Sequence, residues 1–304
     1  MGSLIEQASQ RLEQLRQAGA EIHGSPAIES EMRAAPQPTD RTARTALSRL
    51  VELDLPALAK AGIVSPNAPR SQVADQFRVI KRPLISNATG KGASTITNGN
   101  LIMVTSALPG EGKTFTAINL AMSIATELDC TVMLVDADVA RPSVMRVLGL
   151  PAECGLLDLV LDDSKDLSSV LLRTNIDKLT ILPSGTPHAR ATELLASDSM
   201  IRLLAEMAKR YADRVIIFDS PPLLLTTESR VLASHMGQIV MVVEAEKTLR
   251  KDVEQALATI ENCPVKLMLL NQTRTASKDG YGYGYGYGYG HGNGYGYAHP
   301  GVLT

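Results

Sequence analysis

The residues Ala107-x-x-x-x-Gly112-Lys113-Thr114 carry the densest chemistry in this 304-residue chain. Gly110 and Gly112 permit a turn that points successive backbone N–H groups inward around an anion. The helix that follows sets its positive end against the same anion. Pro109, Gly110, Glu111, Gly112, Lys113, Thr114 and Phe115 are therefore expected to cradle the phosphates of a nucleotide such as ATP. Lys113 is expected to reach the outer phosphates, and the Thr114 hydroxyl to ligate Mg²⁺. The usual pattern opens on glycine, and Ala107 stands in that place.

Carboxylates complete the set. Asp136 and Asp138 follow the apolar run Thr131–Val135, and Asp219 follows Val215–Phe218. An isolated Asp is most often a helix cap or a turn residue. Three of them, each just past an apolar strand and after a phosphate loop, point instead to a cation bridging to phosphate. Asp219 is the expected metal-side carboxylate. Of Asp136 and Asp138, one would serve the metal shell and one would accept a proton from a hydroxyl nucleophile.

The acceptor is suggested by the other end of the chain. Tyr281, Tyr283, Tyr285, Tyr287, Tyr289, Tyr295 and Tyr297 alternate with glycine, and Tyr211 is the only tyrosine before them. Glycine at every second position argues against helix and against a packed core, so residues 280–297 read as a disordered, low-complexity tail. A chain of about 25 residues beyond Asn271 reaches at most ~80 Å. It can bring a phenol to its own site or to a neighbour's.

The elements that would position these groups alternate. Strands are expected at Leu101–Thr105, Thr131–Val135, Leu179–Leu182, Val215–Phe218, Ile239–Val243 and Val265–Leu270. Helices are expected at Gly112–Glu127, after Pro142, and at Leu156–Leu161, Ala191–Ala196, Ser199–Tyr211 and Leu249–Ile260. The strands are continuous apolar runs, which fits a doubly wound α/β fold whose mainly parallel sheet is covered on both faces. Upstream, residues 4–18 and 43–61 read as helical around a 24–42 linker, and residues 71–84 as an amphipathic helix stopped by Pro83. The expected division is an extension at 1–65, a nucleotide-binding domain at 66–275, and the tyrosine tail at 276–304. Asp75, Arg78 and Lys81 recur every three residues on the 71–84 helix, and spacing alone favours a solvated face.

Composition narrows the class. Net charge is −2, so no basic field argues for nucleic acid. Cys130, Cys154 and Cys263 are too scattered for a metal site and suit a reducing compartment. No apolar run reaches the ~18–20 residues that span a bilayer, and the charged N-terminus lacks a signal core, so a cytoplasmic protein is expected.

Taken together, Ser106–Thr114, Asp136-x-Asp138, Asp219-x-x-Pro222 and the terminal tyrosine cluster resemble the bacterial tyrosine autokinases of polysaccharide export, related to the partitioning and division-site ATPases. The phrases FRVIKRP and DADVARP are most similar to the branch associated with exosortase-type exopolysaccharide loci. The resemblance covers about residues 70–297. It implies Mg²⁺-dependent transfer from ATP to the tail tyrosines, with ADP as product. It further implies that Lys113 binds phosphates, that Thr114, Asp138 and Asp219 serve the metal, and that Asp136 is the base. It turns the Asp75–Arg78–Lys81 face into a ring-assembly motif. The implied partners are a membrane chain-length regulator that recruits the kinase to the inner face of the plasma membrane, further copies of the chain in a ring, and a cognate tyrosine phosphatase. Relatives carry Arg where Ala140 stands, and here Arg141 follows one step later. The rival reading is a division-site-type ATPase that hydrolyses ATP with water. Leu108 occupies the place of its signature lysine and argues against it. A nucleotide-gated scaffold with an inert tail is the non-enzymatic alternative.

Overall fold

The computed structural model describes residues 48–66 and 71–273. The 4–18 helix, the 24–42 linker and all seven tail tyrosines lie outside the described residues.

Among the described residues eight strands form one sheet: β1 (Leu50–Val51), β2 (Leu101–Ser106), β3 (Thr131–Asp136), β4 (Leu172–Thr174), β5 (Leu179–Leu182), β6 (Arg214–Asp219), β7 (Gln238–Glu244) and β8 (Val265–Asn271). Their spatial order is β1-β4-β5-β3-β6-β2-β7-β8. Every pairing is parallel except β4 with β5. Parallel strands need long crossovers, and helices supply most of them.

The crossovers bury both faces of the sheet, and the strand residues alternate between them. Met103, Met133, Ile216, Phe218 and Met241 pack into one half of the core, with Leu156, Leu195, Leu204 and Ile260 from the covering helices. Val104, Leu134, Ile217 and Val242 pack into the other, with Leu84, Leu120 and Ile124. Both sets must be apolar, which is why the central strands read as unbroken apolar runs.

Of the helices, α1 (Leu55–Lys60), α2 (Gln72–Ala88), α3 (Lys113–Ala125) and α4 (Val144–Val147) precede α5 (Leu156–Leu161), α6 (Ala191–Leu195) and α7 (Asp198–Arg210). The last two are α8 (Glu228–Ser234) and α9 (Arg250–Ala258). Helix α3 packs against α2, β2, β3 and β6, so the element following the phosphate loop lies at the centre of the fold.

The structure departs from several expectations. The 43–61 segment is not one helix: β1 pairs with β4, and among its described residues Leu55–Lys60 is the helical part. Val51, Leu53, Leu58 and Ile63 pack into the same core as Leu84 and Leu120. Pro83 lies inside α2, which continues to Ala88. The carbonyl that proline leaves unpaired belongs to Val79, whose 73% exposure puts it on the solvent side, where water can meet it. Finally, β1, β4 and α8 were not expected at all.

Candidate active site

The chain turns left from β2 to β3 across β6, and later passes from β6 to β7 across β2. The carboxyl ends of these strands therefore frame a crevice at the point where the winding reverses. The loop after β2 fills it. Gly110 and Gly112 take φ +88° and +91°, the left-handed region that favours glycine. A Cβ on Gly112 would lie 2.1 Å from Asn271 Nδ2. Ala107 is not among the positive-φ residues and is wholly buried in the core, so no glycine is required there.

Side chains brace this loop from behind. The buried Glu111 carboxylate accepts hydrogen bonds from Leu108 N at 2.6 Å and from the Thr248 hydroxyl. Asn271 Nδ2, at the end of β8, donates to Glu111 O at 2.9 Å. Glu111 thus shapes the cradle, and its side chain is committed to the loop. Phe115 packs into the core, and its ring lies 3.6 Å from where a Cβ on Gly62 would be. Pro109 and Gly110 are exposed at the tip. Helix α3 starts at Lys113, so the first N–H groups past Gly112 have no partner within the helix and face an incoming anion.

Three strand ends bring the charged groups together. Lys113 Nζ lies 2.9 Å from Asp138 Oδ2, and Asp138 Oδ1 also accepts from Arg141 N at 3.2 Å. Thr114 Oγ1 donates to Asp219 Oδ2 at 2.7 Å and lies 2.9 Å from Ser143 Oγ. Asp136 Oδ2 accepts from Ser143 N at 3.1 Å and Val144 N at 3.0 Å. Asp136 and Asp219 are register partners on β3 and β6, so their carboxyls stand on neighbouring strands. Both are fully buried, and each keeps one oxygen, Oδ1, without a partner.

That arrangement raises both acids. Burial pushes Asp136 up to about 7, against the pull of the Val144 N–H, and Asp138 adds to the rise. Burial likewise pushes Asp219 up to about 7, opposed by Lys113 and Thr114. The buried, unpartnered Asp219 Oδ1, on the carboxylate that the Thr114 hydroxyl meets, fits a hard divalent cation. Among the described residues no three His, Cys, Asp or Glu side chains form a closed cage. A cation here would take its remaining oxygens from phosphate and water, as Mg²⁺ does.

A family profile described as an AAA domain matches residues 99–272. Tyrosine-protein kinase YwqD of Bacillus subtilis (strain 168) is 30% identical over 206 residues, covering 68% of this chain and 83% of that protein. The chain belongs to the bacterial tyrosine-kinase family. Tyrosine-protein kinase wzc of Salmonella typhimurium is also 30% identical, over 174 residues. This chain spans only 24% of that longer protein. Among solved structures, the kinase domain of Escherichia coli tyrosine kinase ETK superposes with a TM-score of 0.56 at 25% identity, covering 76% of this chain and 97% of that one. The chimerical protein CapA2B2 superposes with a TM-score of 0.59 at 26% identity, covering 76% and 96%. These superpositions cover the sheet and the helices that flank it.

Sequence reasoning named Lys113, Thr114, Asp136, Asp138 and Asp219, and the fold brings all five together. It missed Ser143 and Asn271, polar residues with no motif of their own. Asn271 stood out only as the end of an apolar run.

The Asp75, Arg78 and Lys81 set divides. Asp75 and Arg78 are exposed and paired at 2.7 Å. Lys81 is 2% exposed and turned inward. Its ammonium bonds Ser123 O and Thr126 Oγ1 and pairs with Glu127 at 2.7 Å. Three-residue steps fall ~60° short of a full turn, so Lys81 sits about a third of the circumference from Asp75. No helix among the described residues is long and apolar enough to cross a membrane.

Proposed function

We propose that this chain is an ATP- and Mg²⁺-dependent autokinase whose acceptors are Tyr281, Tyr283, Tyr285, Tyr287, Tyr289, Tyr295 and Tyr297. The observation that carries this reading is the Asn271–Glu111 contact at 2.9 Å. It puts the end of the last strand on the phosphate loop, so the described chain ends beside the site, eight residues before Tyr281.

The loop amides and Lys113 hold the β- and γ-phosphates of ATP. Thr114, Asp138 and Asp219 are the residues that would hold Mg²⁺. The cation supplies charge neutralisation at the phosphate oxygens. The phenol oxygen of a tail tyrosine attacks the γ-phosphorus, the bond to the β-phosphate oxygen breaks, and ADP leaves. The phenol proton passes to Asp136, whose free Oδ1 and neutral-range pKa suit a base at physiological pH.

The assignment extends to partners. A membrane chain-length regulator recruits the kinase to the inner face of the plasma membrane and activates it. Copies assemble into a ring through the Asp75–Arg78 face. A cognate phosphatase resets the tail, and the output is exopolysaccharide polymerisation and export. The domain division becomes a nucleotide-binding unit that includes Leu50–Ile63, followed by the tail from residue 276.

The test is to incubate the purified full chain with ATP and Mg²⁺, with and without the membrane regulator, and locate phosphate by mass spectrometry. Phosphate on the tail tyrosines, lost in Lys113→Met, supports the reading. Unmodified tails in every condition sink it.

A further inference from the structure

Beside the phosphate site, the loops after β3 and β5 enclose a groove of about 370 Å³. Pro142, Met145, Leu150, Pro183 and Pro187 line it, together with Gly185. Its lining is continuous with the site: Pro142 precedes Ser143, whose N–H holds Asp136 and whose hydroxyl touches Thr114.

The wall is fixed in place. Asp158 Oδ2 accepts from Gly155 N at 2.8 Å and from Thr186 N at 3.0 Å, pinning the turn that carries Gly185 and Pro187. Gly185 takes φ +94°, and a Cβ there would lie 2.6 Å from that carboxylate. Proline rings and a thioether offer flat, polarizable surface suited to aromatic rings. The described part of the chain contains one tyrosine, Tyr211, so the aromatic supply is the tail.

The tail also has the reach. β8 runs parallel to β7, β2, β6, β3 and β5, so Asn271 ends on the same edge of the sheet as the groove. From β8 to β5 is five strand spacings, or ~24 Å. Tyr281 stands eight residues beyond Thr273, and eight residues extend to at most ~26–29 Å. Every tail tyrosine from Tyr281 onward can therefore reach the groove.

We propose that this groove docks the Gly–Tyr repeat of the C-terminal segment, seating one tyrosine ring among Pro142, Pro183 and Pro187 while a neighbouring tyrosine enters the phosphate site. This rests on the tail tyrosines being the acceptors. The glycines between them carry no side chain to obstruct sliding, so any of the seven can be the seated ring. Recognition is then by repeat chemistry and not by one sequence position.

The test is photo-crosslinking in the full chain with p-benzoylphenylalanine in place of Tyr285. Cross-links concentrated in residues 142–150 and 183–187, reduced at least fivefold by Pro187→Glu on the exposed rim, are the expected result. A melting temperature for the variant controls for folding. Cross-links that instead fall between α2 and β8, on Gln76, Val79, Met268 and Leu270, overturn the proposal, as does a yield that Pro187→Glu leaves unchanged. Cross-linking requires no phosphate transfer, so docking and the acceptor role fail separately.

Discussion

Lys113 Nζ lies 2.9 Å from Asp138 Oδ2, so the lysine that is to hold phosphate is already neutralised by a buried carboxylate. An incoming phosphate must compete for it. Asp138→Asn removes the competitor, and ADP affinity measured without Mg²⁺ is expected to rise severalfold. Phosphate transfer in the same variant is expected to fall at least 100-fold, because Asp138 is also needed with the cation. Isothermal titration and a transfer assay read the two effects. Weaker ADP binding in Asp138→Asn contradicts this account of the pair.

Asp219 and Asp136 give the nucleotide-free protein a pH dependence. Both are held up to about 7, against an ordinary aspartate value near ~3.9. Between those values the folded chain binds more protons than the unfolded chain, so stability falls as pH rises from about 4 through about 7. Asp219→Asn removes one buried charge. Without Mg²⁺ it is expected to be more stable than wild type at pH 8 by at least about 1 kcal/mol, with the gap closing toward pH 5, while transfer is lost. Urea unfolding at both pH values checks it. A variant equally destabilised at both would show that the acids are not strained.

Much of this arrangement was legible. The loop, the strand ends and the aspartates follow from residue type and from apolar runs, because a parallel sheet buried on both faces leaves continuous stretches such as Val215–Phe218. The pieces that escaped carry little local signal. Leu172–Thr174 spans three residues and Leu50–Val51 two, and both are defined by their pairing with distant strands. Asn271 and Ser143 act through contacts across the sheet, which no spacing along the chain reveals.

Lys81 shows the same limit, since periodicity placed it beside Asp75 but could not show Ser123 and Glu127 behind it. Lys81→Ala is expected to cost about 1–3 kcal/mol by chemical denaturation, because it removes the buried ammonium's bonds to Ser123 and Thr126 and its pair with Glu127. Asp75→Ala is expected to cost under ~0.5 kcal/mol, because that pair is exposed. The Lys81 hydrogen bond holds Glu127 below the usual carboxylate range. Its contribution is therefore present above the ordinary glutamate pKa and is lost as pH falls through the lowered one. Equal costs for the two substitutions would return Lys81 to the surface motif.

Gly112 separates loop geometry from side-chain chemistry. With φ +91° and Asn271 Nδ2 only 2.1 Å from a prospective Cβ, Gly112→Ala must displace the loop or the end of β8. ATP affinity is expected to drop at least tenfold. Ala107→Gly, at a residue in ordinary backbone conformation, is expected to leave it within about twofold. Equilibrium binding of a fluorescent ATP analogue distinguishes them, and similar losses in both would mean the turn is not what Gly112 protects.

The central claim, that a phenol and not water receives the phosphate, is tested most directly by following the γ-phosphate itself. The full chain and a variant with all seven tail tyrosines changed to Phe are given γ-labelled ATP and Mg²⁺, with the membrane regulator present. Label is then partitioned between protein and free phosphate. The account predicts label on the wild-type tail and little release in either protein, with protein labelling abolished in the variant. Equal release of free phosphate from both proteins, with unlabelled tails, would identify a hydrolase and contradict it.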